Sequence, residues 1–514
     1  MHLRAAVAQF LWGTASLGAW RRLSAALRAP APTQRAVLLA QVAANRDSAY
    51  GRAHGFDRIR SVAEFQRQVP MVGYDDLQPW IDRVAAGEAA VLTVAPVRRL
   101  SPSSGSTRAA KLVPWTAPLQ QELGRAVDAW IADLYLQRPR LICGPSYWSV
   151  TPALDRAEYP PTRIPVGFDD DSAYLGGARQ RLVQAALVAP GALPPGAGMD
   201  AFRRATLRAL LLAPELRVIS VWHPSFLALL LDALAAEWPA LVDDIARDHP
   251  RRAARLAATG PRPEAIWPHL GLVSCWGDGP AGAAAEALAA RLPAVELQRK
   301  GLMATEGVVT VPFAGRRPLA VRSHFFEFLA DDGAVRLAHE LDAGAEYSVV
   351  VTTGGGLYRY RLGDRVRVDG TVGATPSLTF VGRDDRVSDR CGEKLSDSFV
   401  AAVLETLFAG APRPAFAMLA PEQTAHGVSY TLFVDRDHAD RAVGADALER
   451  QLRRNPHYAW CVDLGQLAPA RVVGVGPGAA QAYLEACVRR GQRLGDVKPV
   501  SLHHGLGWRE VLPC

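Results

Sequence analysis

Between residues 217 and 383, short apolar runs alternate with helical segments. The runs RVISVW (217–222) and LGLVSCW (270–276) are rich in β-branched and aromatic residues, as strands are. Helical patterns lie between the runs: Ser225 is a predicted cap for FLALLLDALAAEW, and Pro280 opens an alanine-rich stretch that ends at Leu292. Strands that alternate with helices build layers in which helices cover a sheet, so the sequence predicts an α/β fold. The other strands predicted here are AVELQR (294–299), GVVTVPF (307–313), YSVVVTT (347–353) and LTFVGR (378–383).

The sequence changes character after Arg383, where the polar, turn-like segment GRDDRVSDRCGEKLSD begins. Exposed polar stretches are typical of domain boundaries, and we place one at Asp384–Asp385. The predicted N-terminal domain, residues 1–383, is large and has mixed sheets with flanking helices, including a helical region over residues 32–87. The predicted C-terminal lobe, residues 384–514, is a smaller α+β unit. Its predicted helices are 399–408, 445–454 and 479–490, and its predicted strands are 414–419, 428–434 and 470–475.

The composition is that of a soluble globular protein, with 49% apolar and 21% charged residues in a chain of 514. The formal charge of +7 comes from arginines scattered along the sequence. The sequence contains no block of like charge, so it gives little indication of a nucleic-acid interface. Gln9 and Thr14 interrupt the apolar N-terminus, so we predict a docked amphipathic helix there and no membrane span. The six cysteines form no CxxC pair, which disfavours a zinc ribbon or a disulfide framework and favours reduced thiols in the cytoplasm.

Lysine is scarce in this chain: only Lys111, Lys300, Lys394 and Lys498 occur, against 54 arginines. Lysine is a compact, rotatable point charge, whereas arginine is a rigid planar fork. A chain that uses arginine as its general surface cation therefore has candidate functional sites at its few lysines. All four lie beside glycine-rich or turn-rich segments. The alternative is that these positions are fortuitous.

The first of these segments is SPSSGSTRAAK, which follows the predicted strand VRRL (97–100) and precedes a helix predicted from about 118 to 136. Hydroxyl groups and free backbone N–H groups can surround phosphate oxygens, and a glycine lets the backbone approach closely. The segment matches neither the Walker pattern nor the GxSxG nucleophile elbow. It is either a phosphate-binding loop or a flexible linker. Its candidate phosphate-binding residues are Ser103, Ser104, Gly105, Ser106, Thr107 and Lys111.

Four further segments carry candidate polar groups. In KGLMATEG, Thr305 and Glu306 follow a strand, and a carboxylate beside a triphosphate is a natural Mg²⁺ ligand. In TTGGGLYRYRLGD, we expect Asp364 to end a tight turn, where it could hold ribose hydroxyls or simply cap a hairpin. Arg383 ends a predicted strand beside two acidic residues, and Lys498 lies in a loop, GQRLGDVKP, near the C-terminus.

Taken in chain order, these segments resemble the adenylate-forming superfamily and, more narrowly, the Gretchen Hagen family of acyl-acid amido synthetases, first known as auxin-responsive proteins in plants. The resemblance covers nearly the whole chain. The sequence most resembles the bacterial branch of the family, because ATEG replaces the Ser-Ser-Glu type motif of plant members and Lys498-Pro499-Val500 replaces their Lys-x-Pro-Arg ending. The segments that carry it are AANRDSAYGRAHGF, VPMVGYDDLQPWIDRVAAGE, SPSSGSTRAAKLVP, VSCWGDG, QRKGLMATEG, GLYRYRLGD and GQRLGDVKP.

The resemblance implies an ATP-dependent ligase with two half-reactions, in which a carboxylic acid is adenylated and the acyl group is then transferred to an amino acid as an amide. It implies that the loop 103–107 with Lys111 holds phosphates, that Thr305 contacts the α-phosphate or the acyl group, and that Glu306 binds Mg²⁺. By the same resemblance, Asp364 holds the ribose and Arg383 contacts the ribose or stabilises the hinge. The implied alternatives are coenzyme A as the acceptor, or a binding protein that has lost catalysis.

The resemblance also implies that the small lobe moves and that Lys498 stabilises the negative charge of the transition state. Rotation about Asp384–Asp385 would exchange one catalytic face for another, with Lys394 serving the second conformation. Lys300 is expected to order the turn before Thr305. The candidate lining residues of the acid pocket are Trp148, Trp222, His223 and Trp276; the alternative is that these aromatic residues belong to the ordinary core.

Overall fold

The computed structural model describes residues 2–102, 111–149, 162–168, 177–190, 199–383, 387–388, 390–391, 393, 395–424, 427–441, 444–464, 466–490 and 497–514. Helices and strands alternate through most of this part of the chain, as the sequence predicts. The helices of the N-terminal half are α1 (His2–Ala26), α2 (Pro30–Ala44), α3 (Ala49–Ala53), α4 (Val62–Gln68), α5 (Tyr74–Ala85), α6 (Ala117–Gln137), α7 (Gly177–Ala186), α8 (Met199–Leu211), α9 (Pro224–Ala236), α10 (Trp238–Asp248) and α11 (Pro250–Thr259). The remaining helices are α12 (Pro263–Ile266), α13 (Gly282–Arg291), α14 (Asp397–Leu407), α15 (Arg436–Arg441), α16 (Ala445–Leu452), α17 (Pro456–Asp463) and α18 (Ala479–Arg489).

The strands follow the same order along the chain. Those up to residue 352 are β1 (Val97–Pro102), β2 (Leu112–Thr116), β3 (Ser146–Trp148), β4 (Val218–Ser220), β5 (Leu272–Cys275), β6 (Glu296–Arg299), β7 (Met303–Ala304), β8 (Gly307–Val308), β9 (Phe325–Leu329), β10 (Val335–Leu337) and β11 (Glu346–Thr352). The others are β12 (Tyr360–Val372), β13 (Thr375–Arg383), β14 (Val387–Ser388), β15 (Leu395–Ser396), β16 (Ala417–Thr424), β17 (Gly427–Asp435) and β18 (Leu467–Val475).

The chain divides into two compact units. The first comprises Met1–Trp276, Leu288–Leu362 and Val368–Thr379, and the second comprises Gly277–Ala287, Gly363–Arg367 and Phe380–Cys514. The boundary predicted at Asp384–Asp385 falls on residues outside those that the structure describes, and it stays a prediction.

A parallel sheet with the order β3-β4-β5-β6 forms one part of the first unit. Its strands confirm the predicted strands at 217–222, 270–276 and 294–299, although each is shorter than predicted. Leucines of α8, α9 and α10 pack with β4 and β5 in a buried cluster, which explains why these segments are so apolar. The N-cap of α9 is His223, whose Nδ1 accepts a hydrogen bond from the Ser225 amide, so the prediction that Ser225 is the cap was wrong by two residues.

A second sheet has the order β10-β9-β11-β12-β13. Most of it belongs to the first unit, whereas Gly363–Arg367 of β12 and the end of β13 from Phe380 belong to the second. Strand β12 extends over 13 residues and alternates buried and more exposed positions along most of its length. Asp364 lies inside this strand, so the expectation that it ends a tight turn was wrong. The turn comes earlier, where the Thr353 amide donates to the carbonyl of Leu357 across the three glycines. The alternation of apolar and polar residues after Tyr358 is a strand pattern, and it outweighs the single glycine at 363.

The N-terminal segment forms a single 25-residue helix, α1. Trp12 is buried in a cluster with residues of α6, and the buried Gln9 side chain donates to the carbonyl of Gly144 at 2.7 Å. These contacts confirm the predicted docked helix. No single helix among the described residues has the length and apolarity needed to cross a bilayer, although α9 and α10, which meet at 80°, satisfy both criteria when they are taken together.

The second unit contains a sheet with the order β16-β17-β18, antiparallel in its first pair and parallel in its second. Helices α14, α16 and α17 contribute to the buried cluster of this unit together with Tyr430 and Leu432 of β17. Strands and helices are thus mixed in one small core, which agrees with the predicted α+β lobe. The helices predicted at 399–408, 445–454 and 479–490 correspond to α14, α16 and α18, whereas α15 and α17 were not predicted.

Candidate active site

Lys111 lies at the start of β2, directly after the predicted phosphate loop. Its Nζ is 5.7 Å from the centroid of the Tyr74 ring, and the hydroxyl oxygen of Tyr74 accepts the amide hydrogen of Leu112 at 2.7 Å. Tyr74 therefore holds both the side chain of Lys111 and the backbone that follows it. Ser103, Ser104, Gly105, Ser106 and Thr107 lie outside the described residues, and their roles stay predictions.

Thr305 and Glu306 form the two-residue turn of a hairpin. Ala304 of β7 pairs with Gly307 of β8, so the turn is fixed by the ladder on either side of it. Glu306 is buried, with 7% of its surface exposed. Burial limits the space in which the Glu306 side chain can move. A restricted carboxylate suits a residue that binds a metal ion or orients a phosphate.

Lys111 and Glu306 share one neighbour in the first unit. Burial raises the pKa of Tyr74, and nearby carboxylates, among them Glu306, raise it further. The Tyr74 ring thus lies within the electrostatic reach of Glu306 and beside the ammonium group of Lys111. Lys111 and Glu306, which lie 195 positions apart in the sequence, therefore both act on Tyr74: Lys111 by contact with the ring, and Glu306 through its charge at longer range.

Asp364 and Arg383 come together in the second unit. Arg383 Nη1 lies 2.9 Å from Asp364 Oδ1, and the two side chains are 22% and 3% exposed. Both residues had been assigned to the ribose, and a buried aspartate oriented by an arginine is well suited to accept hydrogen bonds from a diol. The same pair would also stabilise the second unit without any ligand.

Of the two lysines in the C-terminal region, the structure describes Lys498 but not Lys394. Lys498 is half-buried, and its carbonyl accepts the hydroxyl hydrogen of Tyr483 at 3.0 Å, which fixes the backbone of this loop. Its catalytic role stays a prediction. Lys394 lies outside the described residues.

Aromatic side chains and Lys300 gather at the carboxyl ends of the parallel strands β4, β5 and β6. The centroids of Trp222 and Trp276 are 5.4 Å apart, and the Nζ of Lys300 is 4.5 Å from the Trp222 ring centroid. Lys300 is buried, with 6% of its surface exposed. Ligands of open α/β sheets bind beyond the carboxyl ends of the strands, so this group lies where an acyl substrate would be expected.

The two other predicted lining residues have different surroundings. Trp148 packs against Trp12 and Trp130, with centroids 5.7 and 6.2 Å away, and belongs to a hydrophobic cluster. His223 caps α9. The structure thus joins two of the four predicted lining residues in one group.

Within the described ranges, no cluster of three or more histidine, cysteine, aspartate or glutamate side chains could hold a metal ion by itself. A metal ion held here would need oxygen ligands from a substrate in addition to Glu306. Mg²⁺ is commonly bound in this way, by one or two carboxylates together with phosphate oxygens. The carboxylate of Glu306 is a donor that fits Mg²⁺ on a nucleotide.

Two models of one protein family match the chain. The GH3 family N-terminal domain matches residues 19–259, and the GH3 family central domain matches residues 318–383. Together these matches cover more than half of the sequence, and they include Lys111, Asp364 and Arg383. The chain belongs to the GH3 family.

The relatives of this GH3 protein include plant enzymes. It is 25% identical to a probable indole-3-acetic acid-amido synthetase, GH3.12, of Oryza sativa subsp. japonica over 452 residues, which cover 69% of each chain. It is 24% identical to the indole-3-acetic acid-amido synthetase GH3.8 of Oryza sativa subsp. indica, over 88% of this chain and 85% of the rice protein. These relatives do not support the bacterial branch that the sequence suggested.

The fold of this GH3 protein is also found in a solved structure, a GH3.15 acyl acid amido synthetase in complex with 2,4-DB. The TM-score is 0.80 at 19% sequence identity, and the match covers 97% of this chain and 95% of that one. At this identity the likeness shows the fold. It confirms the predicted α/β class, in which a large N-terminal part precedes a smaller C-terminal part.

Sequence reasoning missed the residues that hold the predicted ones in place. Tyr74 stands in VPMVGYDDLQ, which carried the family resemblance but no chemical motif, and its contacts to residues 111 and 112 are tertiary. A tyrosine is compatible with any α/β core, so the residue type gave no signal. Its position at the first residue of α5, two residues after the β-bridge residue Val72, was the local feature that marked it.

Proposed function

We propose that this GH3 protein is an ATP-dependent ligase that adenylates a carboxylic acid and transfers the acyl group to an amino acid, forming an amide. The observations that carry the proposal are the contact of Lys111 with Tyr74, directly after the predicted phosphate loop, and the burial of Glu306 in the turn between β7 and β8. Polyphosphate chemistry needs a cation for the phosphates and a carboxylate for the accompanying metal ion. The relatives named as indole-3-acetic acid-amido synthetases support the same reaction.

The proposed reaction proceeds in two steps. In the first, a carboxylate oxygen of the acid attacks the α-phosphorus of ATP, the bond to the bridging oxygen breaks, and pyrophosphate leaves. In the second, the amine nitrogen attacks the acyl carbon of the mixed anhydride, the bond to the AMP oxygen breaks, and the nitrogen loses a proton. The products are an amide, AMP and pyrophosphate.

The residues have separate roles in this proposal. Lys111 and the loop of Ser103, Ser104, Gly105, Ser106 and Thr107 hold phosphates, and Thr305 contacts the α-phosphate or the acyl group. Glu306 would hold Mg²⁺, which supplies positive charge to the phosphate oxygens when it is bound. Glu306 is buried in the two-residue turn between β7 and β8, which limits the space open to its carboxylate.

The second unit provides the remaining groups. Asp364 accepts hydrogen bonds from the ribose hydroxyls. Arg383 holds the Asp364 carboxylate in place, with Nη1 2.9 Å from Oδ1. Lys498 stabilises the charge that develops as the carboxylate attacks; a well-placed donor of this kind contributes about 3–4 kcal/mol in comparable sites. The domain organisation at 1–383 and 384–514, with a mobile C-terminal lobe, belongs to the same proposal.

The acid and acceptor specificity of the plant enzymes is not carried over to this protein. ATEG at 304–307 and Lys498-Pro499-Val500 depart from the plant motifs, and the bacterial-branch assignment rests on these departures alone. The substrates proposed are a small-molecule carboxylic acid and an amino acid or another amine, handled in the cytoplasm without nucleic acid.

The decisive experiment is ATP–pyrophosphate exchange measured against a panel of aryl, indolyl and fatty acids. We expect exchange that depends on one class of acid, and we expect Glu306→Gln to reduce it at least about 100-fold, since electrostatic groups of this kind contribute that much. Glu264→Gln, an exposed carboxylate on α12, is the matched control and should leave the rate unchanged.

Product analysis separates the alternatives. An amide formed from the best acid in the presence of both amino acids and coenzyme A supports the proposal, whereas a thioester would assign the acceptor to coenzyme A. Binding of ATP in calorimetry without exchange for any acid would favour a nucleotide-binding protein that has lost catalysis.

A further inference from the structure

A buried carboxylate links two turns of the first unit. Glu122 of α6 is 4% exposed, and its oxygens accept hydrogen bonds from Gln41 Nε2 at 2.9 Å and from the Gly354 amide at 2.9 and 3.1 Å. The same carboxylate lies 2.9 Å from His324 Nδ1. A carboxylate with this number of partners in a core is a satisfied group, and it holds the backbone that binds to it.

His324 extends this link to the Thr305–Glu306 hairpin. The side chain is fully buried, and its Nε2 accepts the amide hydrogen of Val308 at 3.0 Å. Because Nε2 is the acceptor in this bond, the ring proton is on Nδ1 and is donated to Glu122. A Cβ added at Gly307 would come within 2.7 Å of Nε2, so the ring is packed directly against the hairpin.

The other end of the link is the glycine-rich turn 353–356. The Gly354 amide donates to Glu122, and the Gly354 carbonyl accepts the Thr116 hydroxyl at 2.7 Å. A Cβ at Gly354 would lie 2.7 Å from Glu122 Oε1, so a larger residue cannot occupy this position without displacing the carboxylate. Both turns are therefore held through backbone amides by one pair of side chains.

We propose that Glu122 and His324 are positioning residues of the ligase reaction, which fix the Thr305–Glu306 hairpin relative to the glycine-rich turn 353–356. The inference rests on the proposed function of Glu306. Neither residue needs to contact a substrate, because the pair acts through the amides of Val308 and Gly354. A displacement of about 1 Å at a reacting group can cost about 100-fold in rate, so a link of this kind has a large effect on turnover.

Two substitutions at one position test the link. In His324→Asn, the amide nitrogen can replace Nδ1 as the donor to Glu122, but the Val308 amide loses its acceptor. In His324→Gln, the amide oxygen reaches towards the former position of Nε2 and can accept from Val308, while the donor to Glu122 is lost. The two variants thus break opposite ends of the link with side chains of the same chemistry.

The first measurement is the exchange rate with the best acid, together with the Mg²⁺ concentration that gives half of it. We expect His324→Asn to lower kcat by about 10- to 100-fold and to raise the Mg²⁺ requirement several-fold, because the hairpin of Glu306 is released. His324→Gln keeps the acceptor and should retain a clearly larger kcat. Gln9→Leu is the control, since Gln9 is equally buried and donates to Gly144 and Ser146, away from both turns.

The second measurement needs no activity. Hydrogen–deuterium exchange of peptides covering residues 302–310 and 352–358 should become several-fold faster in both peptides for Glu122→Gln, because Glu122 bonds both His324 and the Gly354 amide. His324→Asn should accelerate the peptide 302–310, which loses its acceptor, and Gln9→Leu should change neither peptide. Acceleration of one peptide alone in Glu122→Gln would overturn the proposed coupling. So would losses of kcat that follow thermal stability equally in Gln9→Leu and the His324 variants. A parent protein that exchanges pyrophosphate with no acid would refute the proposed function, and the amide exchange would still decide the coupling.

Discussion

Arg359 combines a buried ion pair with an unusual backbone conformation. Its Nε and Nη2 lie 2.9 and 3.0 Å from the two oxygens of Glu327, with side-chain exposures of 8% and 1%. Its Nη1 donates to the carbonyls of Gln66 and Val69 at 2.8 and 2.9 Å. The residue also has φ of 46°, which lies in the left-handed region. We predict that replacing Arg359 destabilises the first unit strongly.

The expected magnitude has two parts. Arg359→Ala leaves the carboxylate of Glu327 buried without its cation, and removing one partner of a buried pair costs about 3–5 kcal/mol in the free energy of unfolding. Alanine also retains the left-handed strain, which is about 1–2 kcal/mol and which glycine does not have. Arg359→Gly should therefore be about 1 kcal/mol more stable than Arg359→Ala, although glycine usually destabilises a chain relative to alanine.

Urea unfolding followed by tryptophan fluorescence measures both parts, with midpoints and m-values compared among the variants. Arg361→Ala is the matched control, because Arg361 is exposed in β12, two residues further along the chain, and should change stability by no more than about 0.5 kcal/mol. An Arg359→Ala protein within about 1 kcal/mol of the parent would refute the assigned role of the ion pair. A glycine variant less stable than the alanine variant would refute the assignment of strain.

Three further predictions concern other regions. Tyr74→Phe removes the acceptor of the Leu112 amide, which should cost about 1–3 kcal/mol locally and raise the KM for ATP several-fold in exchange assays; an unchanged KM would contradict it. Burial raises the pKa of Cys275 to about 12, so iodoacetamide at pH 8 should modify the exposed Cys143 and leave Cys275 intact in native protein, as mass spectrometry can show. Burial, and then the hydrogen bond to the Glu393 carboxylate, raise the pKa of Tyr430 above the ordinary value of about 10. The stability that this shift provides is fully present below about pH 10 and is lost as the pH rises further. Above about pH 10, the free energy of unfolding of the second unit should therefore fall more steeply in the parent protein than in Tyr430→Phe.

The α/β class could be read from local patterns because each strand and helix of the parallel sheet carries its own apolar period. RVISVW became β4 and AVELQR became β6, with errors only at the ends. Strand β9 was not predicted, although Phe325, Phe326 and Phe328 are buried in it. Its short run FFEFL fits a strand or a helix equally well, and the pairing with β10 and β11 decides between them.

Residues of the candidate site could be predicted where their chemistry follows from residue type. The prediction failed where a residue's role follows from its tertiary contacts. Lys111 and Glu306 were found by their motifs, and the hairpin that carries Glu306 is local. Glu122 and His324 lie 202 positions apart and read as an ordinary helix residue and an isolated histidine. Their pairing depends on how α6 packs against the chain around residue 324, which no sequence window contains.

The four lysines give this protein an unusual response to a lysine-specific protease. Such an enzyme has four possible cleavage points, at residues 111, 300, 394 and 498, and all of them lie in segments proposed to serve the reaction. Lys300 is covered by Trp222 and should resist cleavage in the folded chain, whereas Lys111 is only half-covered. Occupancy of the nucleotide site could thus be followed on a gel by the disappearance of one or two fragments, without labels or known substrates.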